Sequence, residues 1–293
     1  MRAIFLVNAR SGARRRHGIE ALIRDTCAHL EHEIVACGAK EELDEIVARA
    51  ERDGVDVVYA VGGDGTVHET AKRLIGRALA LGVVPTGSGN GFARQIGLPM
   101  NLRASMQSCR GGRIVTIDTA RVNGMPFLAT MGVGFDAAIA EAFANAGTRG
   151  LRTYVRAGLR EFRRFRAESY DITIDGASQT RRAFVVAVAN AAHYGNNARI
   201  APPASLQDGV LDVVIVDDVT LLQAAALVPR LFRGTLDKSR HVTIVQGTQI
   251  EIRRPAAGPA QLDGEPVSLP ERLSVEIVPR SLRVLVPDRV GRI

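Results

Sequence analysis

Two glycine clusters carry residue types suited to holding an anion: Val61-Gly62-Gly63-Asp64-Gly65-Thr66 and Pro85-Thr86-Gly87-Ser88-Gly89-Asn90-Gly91. Glycine permits positive φ and lets backbone N–H groups approach an anion with no Cβ between them. Each cluster follows an apolar run, 55–61 and 78–84, and precedes a helical pattern. Both are therefore expected at neighbouring strand ends, where a parallel sheet binds phosphate. A single glycine turn is equally well explained as a tight connection, but two at consecutive strand ends point to a nucleotide. A third small-residue turn, Asn8-Ala9-Arg10-Ser11-Gly12, follows the first apolar run and is expected at the same edge. Arg14, Arg15 and Arg16 come next, either as a solvated stretch or as partners for phosphate. A P-loop would need GxxxxGK[ST], and the only lysines are Lys40, Lys72 and Lys238. Any phosphate must then be held by backbone amides, arginine and metal.

The elements that would position these turns can be read from periodicity. Strands are predicted near 4–8, 33–36, 55–61 and 78–84, with helices near 19–32, 40–53, 68–74 and from 90 onward. Such alternation predicts an α/β, doubly wound parallel sheet. After Asp118 the period changes to two, with strands predicted at 169–174, 182–189, 211–216, 241–245, 249–252 and 273–278. The expected division is 1–117 for the first domain and 118–281 for a β-rich second one, with 282–293 returning to the first. From 149 to 166, at ~100° per residue, Arg149, Arg152, Arg156, Arg160 and Arg163 share one helical face, opposite Leu151, Val155, Gly158, Phe162 and Phe165. That face is either solvated or laid on an anionic membrane.

Composition narrows the class. A 293-residue chain that is 46% hydrophobic can bury two cores. Cys27, Cys37 and Cys109 show no metal-type pairing and fit a reducing cytoplasm. The N-terminal apolar stretch is too short for a signal peptide, and no run reaches the ~20 apolar residues of a membrane span. A net charge of +7 favours an anionic partner. With 4% aromatics and no Trp, stacking platforms for nucleic acid are scarce, so no nucleic-acid partner is expected.

Further motifs follow in order: Ala201-Pro202, Leu206-Gln207-Asp208-Gly209-Val210-Leu211-Asp212, and Leu262-Asp263-Gly264-Glu265. Taken alone, Asp208-Gly209 and Asp263-Gly264 read as turns between strands. Together with the glycine clusters, the series closely resembles the diacylglycerol kinase catalytic-domain family, which includes bacterial soluble lipid kinases, sphingosine kinases and ceramide kinases. The resemblance covers essentially the whole chain. It implies an N-terminal nucleotide domain of the NAD kinase and phosphofructokinase type, a C-terminal β-sandwich domain, and ATP with Mg²⁺ bound in the cleft between them. It implies that Asn8, Ser11, Gly62, Gly63, Asp64, Gly65, Thr66, Val67, His68, Gly87, Ser88 and Asn90 bind the nucleotide. It further implies that Asp208 holds Mg²⁺ with the carbonyls of Ser205 and Val210, and that Glu265 accepts the proton with Asp263 beside it. Asp64 is the competing base.

The chemistry agrees with those roles: γ-phosphoryl transfer to a hydroxyl needs charge neutralisation, alignment and modest help with one proton. Two positions depart from the family pattern. Gly91 stands where many bacterial members carry Asp, and Asn196-Asn197-Ala198 replaces a glycine-rich segment. The first departure brings the second cluster somewhat closer to the sphingosine kinase variant. The expected activity is an ATP-dependent lipid kinase acting on diacylglycerol or a similar lipid, cytoplasmic, with peripheral contact at the inner membrane face and a homodimer both open. A sphingoid-base, ceramide or NAD kinase-like activity is the alternative, and a binding regulator without turnover is a third. Phe127, Met131, Phe135, Ile139 and Phe143 either line a cleft for acyl tails or form core.

Overall fold

A computed structural model describes residues 1–8, 13–108, 110–144, 158, 160–195, 197–288, 290, 291 and 293. Ser11, Cys109 and most of the predicted basic helix at 149–166 lie outside them. The chain forms two units, Met1–Asp118 with Pro279–Ile293, and Thr119–Val278.

The first unit is a parallel sheet with helical crossovers. It contains β1 (Arg2–Asn8), α1 (Ala13–Thr26), β2 (Glu31–Cys37), α2 (Lys40–Arg52), β3 (Val57–Gly62), α3 (Asp64–Leu74), β4 (Ala80–Pro85), α4 (Gly91–Gln95) and α5 (Leu102–Ser108). The strand order is β2-β1-β3-β4, and the far end of a long last strand (Arg272–Val286) adds a fifth parallel neighbour through Arg283 and Val284. The step from β1 to β2 runs opposite to the steps from β2 to β3 and β4. Right-handed crossovers then place α1 on one face and α2 and α3 on the other; α2 packs on α3 and α1 on α5 accordingly. Every residue of β3 and β4 is buried, which explains their unbroken apolar runs. Phe5 stacks on Tyr59 at 4.4 Å, and the Tyr59 ring fills the place a Cβ would take on Gly82.

Two boundaries differ from the periodicity. The first helix covers 13–26 instead of 19–32, because the chain turns at 27–30 to enter β2. More consequentially, α3 begins at Asp64 and not at His68. Its amino end is the glycine cluster itself, with Gly63 as N-cap and Asp64 in the first turn, where the helix dipole favours a carboxylate.

The second unit is antiparallel. Its strands are β5 (Arg113–Val122, entering from the first unit), β6 (Met125–Phe127), β7 (Thr130–Gly134), β8 (Glu168–Ile174), β9 (Ala177–Ala189), β10 (His193–Gly195), β11 (Ala198–Arg199), β12 (Leu211–Asp217), β13 (Val242–Gly247), β14 (Gln249–Arg253), β15 (Gly258–Leu262) and β16 (Glu265–Leu269); β17 is the long last strand already given. Two helices, α6 (Phe135–Ala144) and α7 (Leu221–Arg233), were not apparent in the period-two pattern.

Strands β9 and β12 are apolar on both faces. Val186, Val188, Val213 and Ile215 enter the sandwich core, while Val185, Ala187, Val214 and Val216 enter a second core that Phe135, Phe162, Leu227 and Leu231 cover. Phe127 and Met131 are fully buried in the sandwich, so they are core and not an acyl-tail surface. Phe135 meets Phe162, Phe165 and Phe184 in an aromatic cluster, and Ile139 is buried as well. The side chain of Phe143 lies outside the described residues.

Candidate active site

In the first unit the sheet reverses its winding between β1 and β3, the point at which open α/β sheets bind ligands beyond the carboxyl ends of their strands. Asn8 ends β1 there, and its Nδ2 donates to Thr66 Oγ1 at 3.2 Å across to the first turn of α3. Gly62 has no room for a side chain, since a Cβ would overlap that same Thr66. The second cluster closes on the first: Thr86 N donates to Gly62 O at 2.9 Å. A Cβ on Gly87 would lie 2.7 Å from Gly63 Cα. Two backbones thus touch where any alanine would separate them.

Asn90 locks the second loop. It adopts the left-handed conformation at φ 50°, its Oδ1 accepts Gly87 N–H at 3.0 Å, and its Nδ2 donates to Gly87 O at 2.8 Å. Arg94 Nε donates to Gly89 O at 3.2 Å and braces the same turn. Ser88 is exposed at the loop surface. An α-helix leaves its first N–H groups without an intrahelical acceptor, and in α3 these belong to the glycine cluster. Val67 and His68 differ from the rest of the expected set, because both side chains turn into the core. Arg16 is paired with Glu20 on its own helix, at 3.6 Å.

In the second unit the Asp263-Gly264 turn joins β15 to β16, with Leu262 opposite Glu265. Both turn residues have positive φ, 50° and 84°, the signature of a two-residue type I′ hairpin. The Asp263 carboxylate accepts three backbone N–H groups, from Leu128 (2.8 Å), Ala129 (2.7 Å) and Thr130 (2.9 Å). Asn190 holds the other side of this segment, donating from Nδ2 to Leu128 O at 2.7 Å and from its backbone N to Ala129 O at 2.8 Å. Asp263 is thereby an anchor for the hairpin. Glu265 is exposed at the hairpin mouth.

A buried polar cluster under this hairpin carries no motif and escaped the sequence reading. Gln261 accepts Gly264 N–H at 2.7 Å through Oε1 and donates from Nε2 to Asp136 Oδ2 at 3.0 Å. Tyr194 donates its hydroxyl to the same Asp136 oxygen at 2.5 Å. Gly132 must be glycine because a Cβ would occupy the place of Asp136 Oδ2. Burial pushes the Asp136 carboxyl up to about 6, against the opposing pull of its bonds from Tyr194 and Gln261. Only the alternation of an acid at the start of a helix with a glycine four residues earlier could have hinted at it.

Asp208 lies in the turn before β12. Gly209 has φ 75°, and Val210 N–H reaches Asp208 Oδ1 at 3.3 Å, an Asx-type turn. Asp208 is exposed, while Ser205 is buried and its Oγ accepts Gln207 N–H at 3.4 Å. The register aligns Asp212 of β12 with Ala189 of β9, and Ala189 with Thr130 of β7, whose carbonyl accepts Asp263 N–H. The Asp208 turn and the Glu265 hairpin therefore occupy one end of one sheet, three strand spacings or ~14 Å apart along that row. Among the described residues no group of three His, Cys, Asp or Glu gathers as a metal cluster. A hard divalent cation that keeps several waters needs no such cluster; one carboxylate with main-chain carbonyls in a turn is a suitable donor set.

Residues 2–122 match the diacylglycerol kinase catalytic domain, and 129–286 match the YegS C-terminal NAD kinase beta sandwich-like domain, which alone spans more than half of the chain. The chain belongs to the diacylglycerol kinase family. Among relatives of this family member, a Klebsiella pneumoniae protein named "Probable lipid kinase YegS-like" is 30% identical over 80% of this chain and 78% of its own length. A Mycobacterium tuberculosis diacylglycerol kinase is 29% identical over 85% of this chain and 83% of its own. The chain spans only 57% of the length of another relative, an uncharacterized Synechocystis protein at 29% identity. A diacylglycerol kinase structure from Bacillus anthracis shares the fold at a TM-score of 0.77, with 20% identity over 99% of this chain and 98% of that one. An Archaeoglobus fulgidus NAD kinase in complex with ATP shares it at 0.54, with 12% identity over 99% of this chain and 95% of that one. The fold is a parallel-sheet α/β domain joined to a β-sandwich domain. No helix among the described residues is long and apolar enough to cross a membrane.

Proposed function

We propose that this protein transfers the γ-phosphoryl group of ATP to a hydroxyl of diacylglycerol or a similar lipid, acting in the cytoplasm at the membrane face. The observation that carries the nucleotide half is the contact between Gly63 and Gly87 at the amino end of α3, with Asn90 latching the second loop. Backbone amides there suit a triphosphate in a chain whose lysines do not form a P-loop. Family membership supports a lipid acceptor.

In this reading Gly62, Gly63, Asp64, Gly65, Thr66, Gly87, Ser88 and Asn90 bind the phosphates, with Asn8 and Ser11 beside them. Glu265 takes the proton of the acceptor hydroxyl as its oxygen bonds to the γ-phosphorus; the bond from that phosphorus to the β,γ-bridging oxygen breaks and ADP leaves. Exposure at the hairpin mouth leaves Glu265 accessible to a substrate, while Asp263, spent on three amides, positions it. Asp64 remains the competing acceptor because it lies in the phosphate loop. Asp208, with the Ser205 and Val210 carbonyls, would hold Mg²⁺, which when bound neutralises phosphate charge.

The test is a kinase assay with labelled ATP and purified protein against mixed micelles of diacylglycerol, a sphingoid base and ceramide, and against soluble NAD, each with and without Mg²⁺. Labelled lipid formed only with Mg²⁺ is expected. Labelled NADP with no labelled lipid would overturn the proposal.

A further inference from the structure

The surface of α7 is apolar where a soluble helix should be polar. At ~100° per residue, Ala224, Leu227 and Leu231 face the second core of their unit, Leu222 and Pro229 lie on the opposite side, and Leu221, Ala225, Val228 and Phe232 fill the flank between them. Leu222 is 83% exposed, Val228 51%, Leu221 47% and Phe232 38%. None of the thirteen residues is buried. A helix that is apolar on its packed face and again on its outer face is either buried or at an interface with something apolar.

The helix is nevertheless well specified. Thr220 and Gln223 form a reciprocal capping box, with Gln223 Oε1 accepting Thr220 N–H at 2.8 Å, and Gly234 ends the helix at φ 65°. Its thirteen residues extend ~20 Å. This is a firm, short rod with a greasy outward side.

Charge identifies what that side meets. Between 221 and 241 four cations, Arg230, Arg233, Lys238 and Arg240, accompany a single carboxylate, Asp237. Arg230, Lys238, Arg240 and His241 line one groove with Leu222 and Leu227. Arg199 lies at the carboxyl end of the helix, its Cδ 2.9 Å from where a Cβ on Gly234 would be. The nearest acids before the helix are already paired, Asp217 with Arg181 at 2.7 Å and Asp218 with Arg182 at 3.1 Å. Apolar side chains bordered by unbalanced cations match the acyl boundary and phosphate layer of an anionic leaflet.

We infer that α7 is the membrane-docking element, lying flat on an anionic bilayer with Leu221, Leu222, Val228 and Phe232 inserted and Arg230, Arg233, Lys238 and Arg240 against lipid phosphates. The inference rests on the lipid acceptor proposed above, since such an acceptor must be drawn from a bilayer. It places membrane contact on a helix other than the arginine-rich stretch at 149–166.

The experiment is co-sedimentation of the full chain with vesicles of phosphatidylcholine alone or with added phosphatidylglycerol, alongside light scattering and turnover on a water-soluble short-chain diacylglycerol. Wild type should bind the anionic vesicles and not the neutral ones. The L222E/F232E variant should lose about ten-fold or more in vesicle affinity, and R233E/R240E should lose binding that rising salt also removes. Both variants should melt like wild type and keep turnover on the short-chain lipid. Equal binding by L222E/F232E and wild type, or no binding by wild type, would overturn the inference. So would a wild-type dimer that L222E/F232E converts to monomer with vesicle binding unchanged, which would give the face to a second copy. Intact vesicle binding with no turnover on any lipid would support docking and fail the kinase reading alone.

Discussion

Replacing Asp263 by alanine separates the anchoring role from proton transfer. The carboxylate accepts N–H groups from three consecutive residues, of which Leu128 and Thr130 are buried. Each hydrogen bond to a charged acceptor contributes about 1.5–3 kcal/mol, and an orphaned buried donor costs about 1–3 kcal/mol. Asp263 is only half-buried, so water can replace part of what is lost. Alanine at φ 50° adds strain that Asp tolerates better. The expected loss is about 3–5 kcal/mol. Asp263→Asn keeps one acceptor oxygen and should lose less than half as much. Urea unfolding, read with hydrogen exchange at the amides of 128–130, measures this directly, and those amides should exchange far faster in the alanine variant. Glu265→Gln should behave oppositely, with wild-type melting and kcat lower by about 10² or more at little change in ATP KM. If Asp263→Ala melted and exchanged like wild type while kcat fell by three orders of magnitude, the anchoring argument would be wrong and Asp263 would be the base.

Three other outcomes are expected. Gly87→Ala should weaken ATP binding about ten-fold or more by calorimetry while leaving most of the stability, because its Cβ would lie 2.7 Å from Gly63 Cα and 2.8 Å from Asn90 Oδ1; unchanged affinity would dissociate the paired loops from nucleotide binding. Asp136, held near 6 in the folded protein, keeps its proton more tightly folded than unfolded. Its contribution is therefore greatest below the unfolded value of 3.8 and declines as pH rises through about 6, by about 3 kcal/mol in all. Asp136→Asn should flatten the fall in stability between pH 4 and 6 in denaturant titrations, and an unaltered slope would assign it to another group. Asp208→Ala should raise the Mg²⁺ concentration needed for half-maximal turnover by about ten-fold without lowering stability; an unchanged Mg²⁺ dependence would remove Asp208 from the metal site.

Local chemistry determined much of this protein by itself. Unbroken apolar runs leading into glycine clusters are a sufficient description of β3 and β4, because a strand buried on both faces tolerates no polar residue. The order of motifs was enough to place the family, and turn chemistry alone predicted a turn between strands at Asp263-Gly264. Tertiary structure decided the rest, because it depends on which residues meet across long stretches of chain. The clasp of Gly87 on Gly63 requires β3 and β4 to be neighbours. Asp263 became an anchor because the amides of 128–130, more than 130 positions away, converge on it. Asp136 joins Gln261 and Tyr194 only once β7, β15 and the chain after β9 are assembled. The helix α7 carries a polar side of Gln223, Arg230 and Arg233 against an apolar arc wider than a packed face needs, and only the folded unit shows which part of that arc is left uncovered.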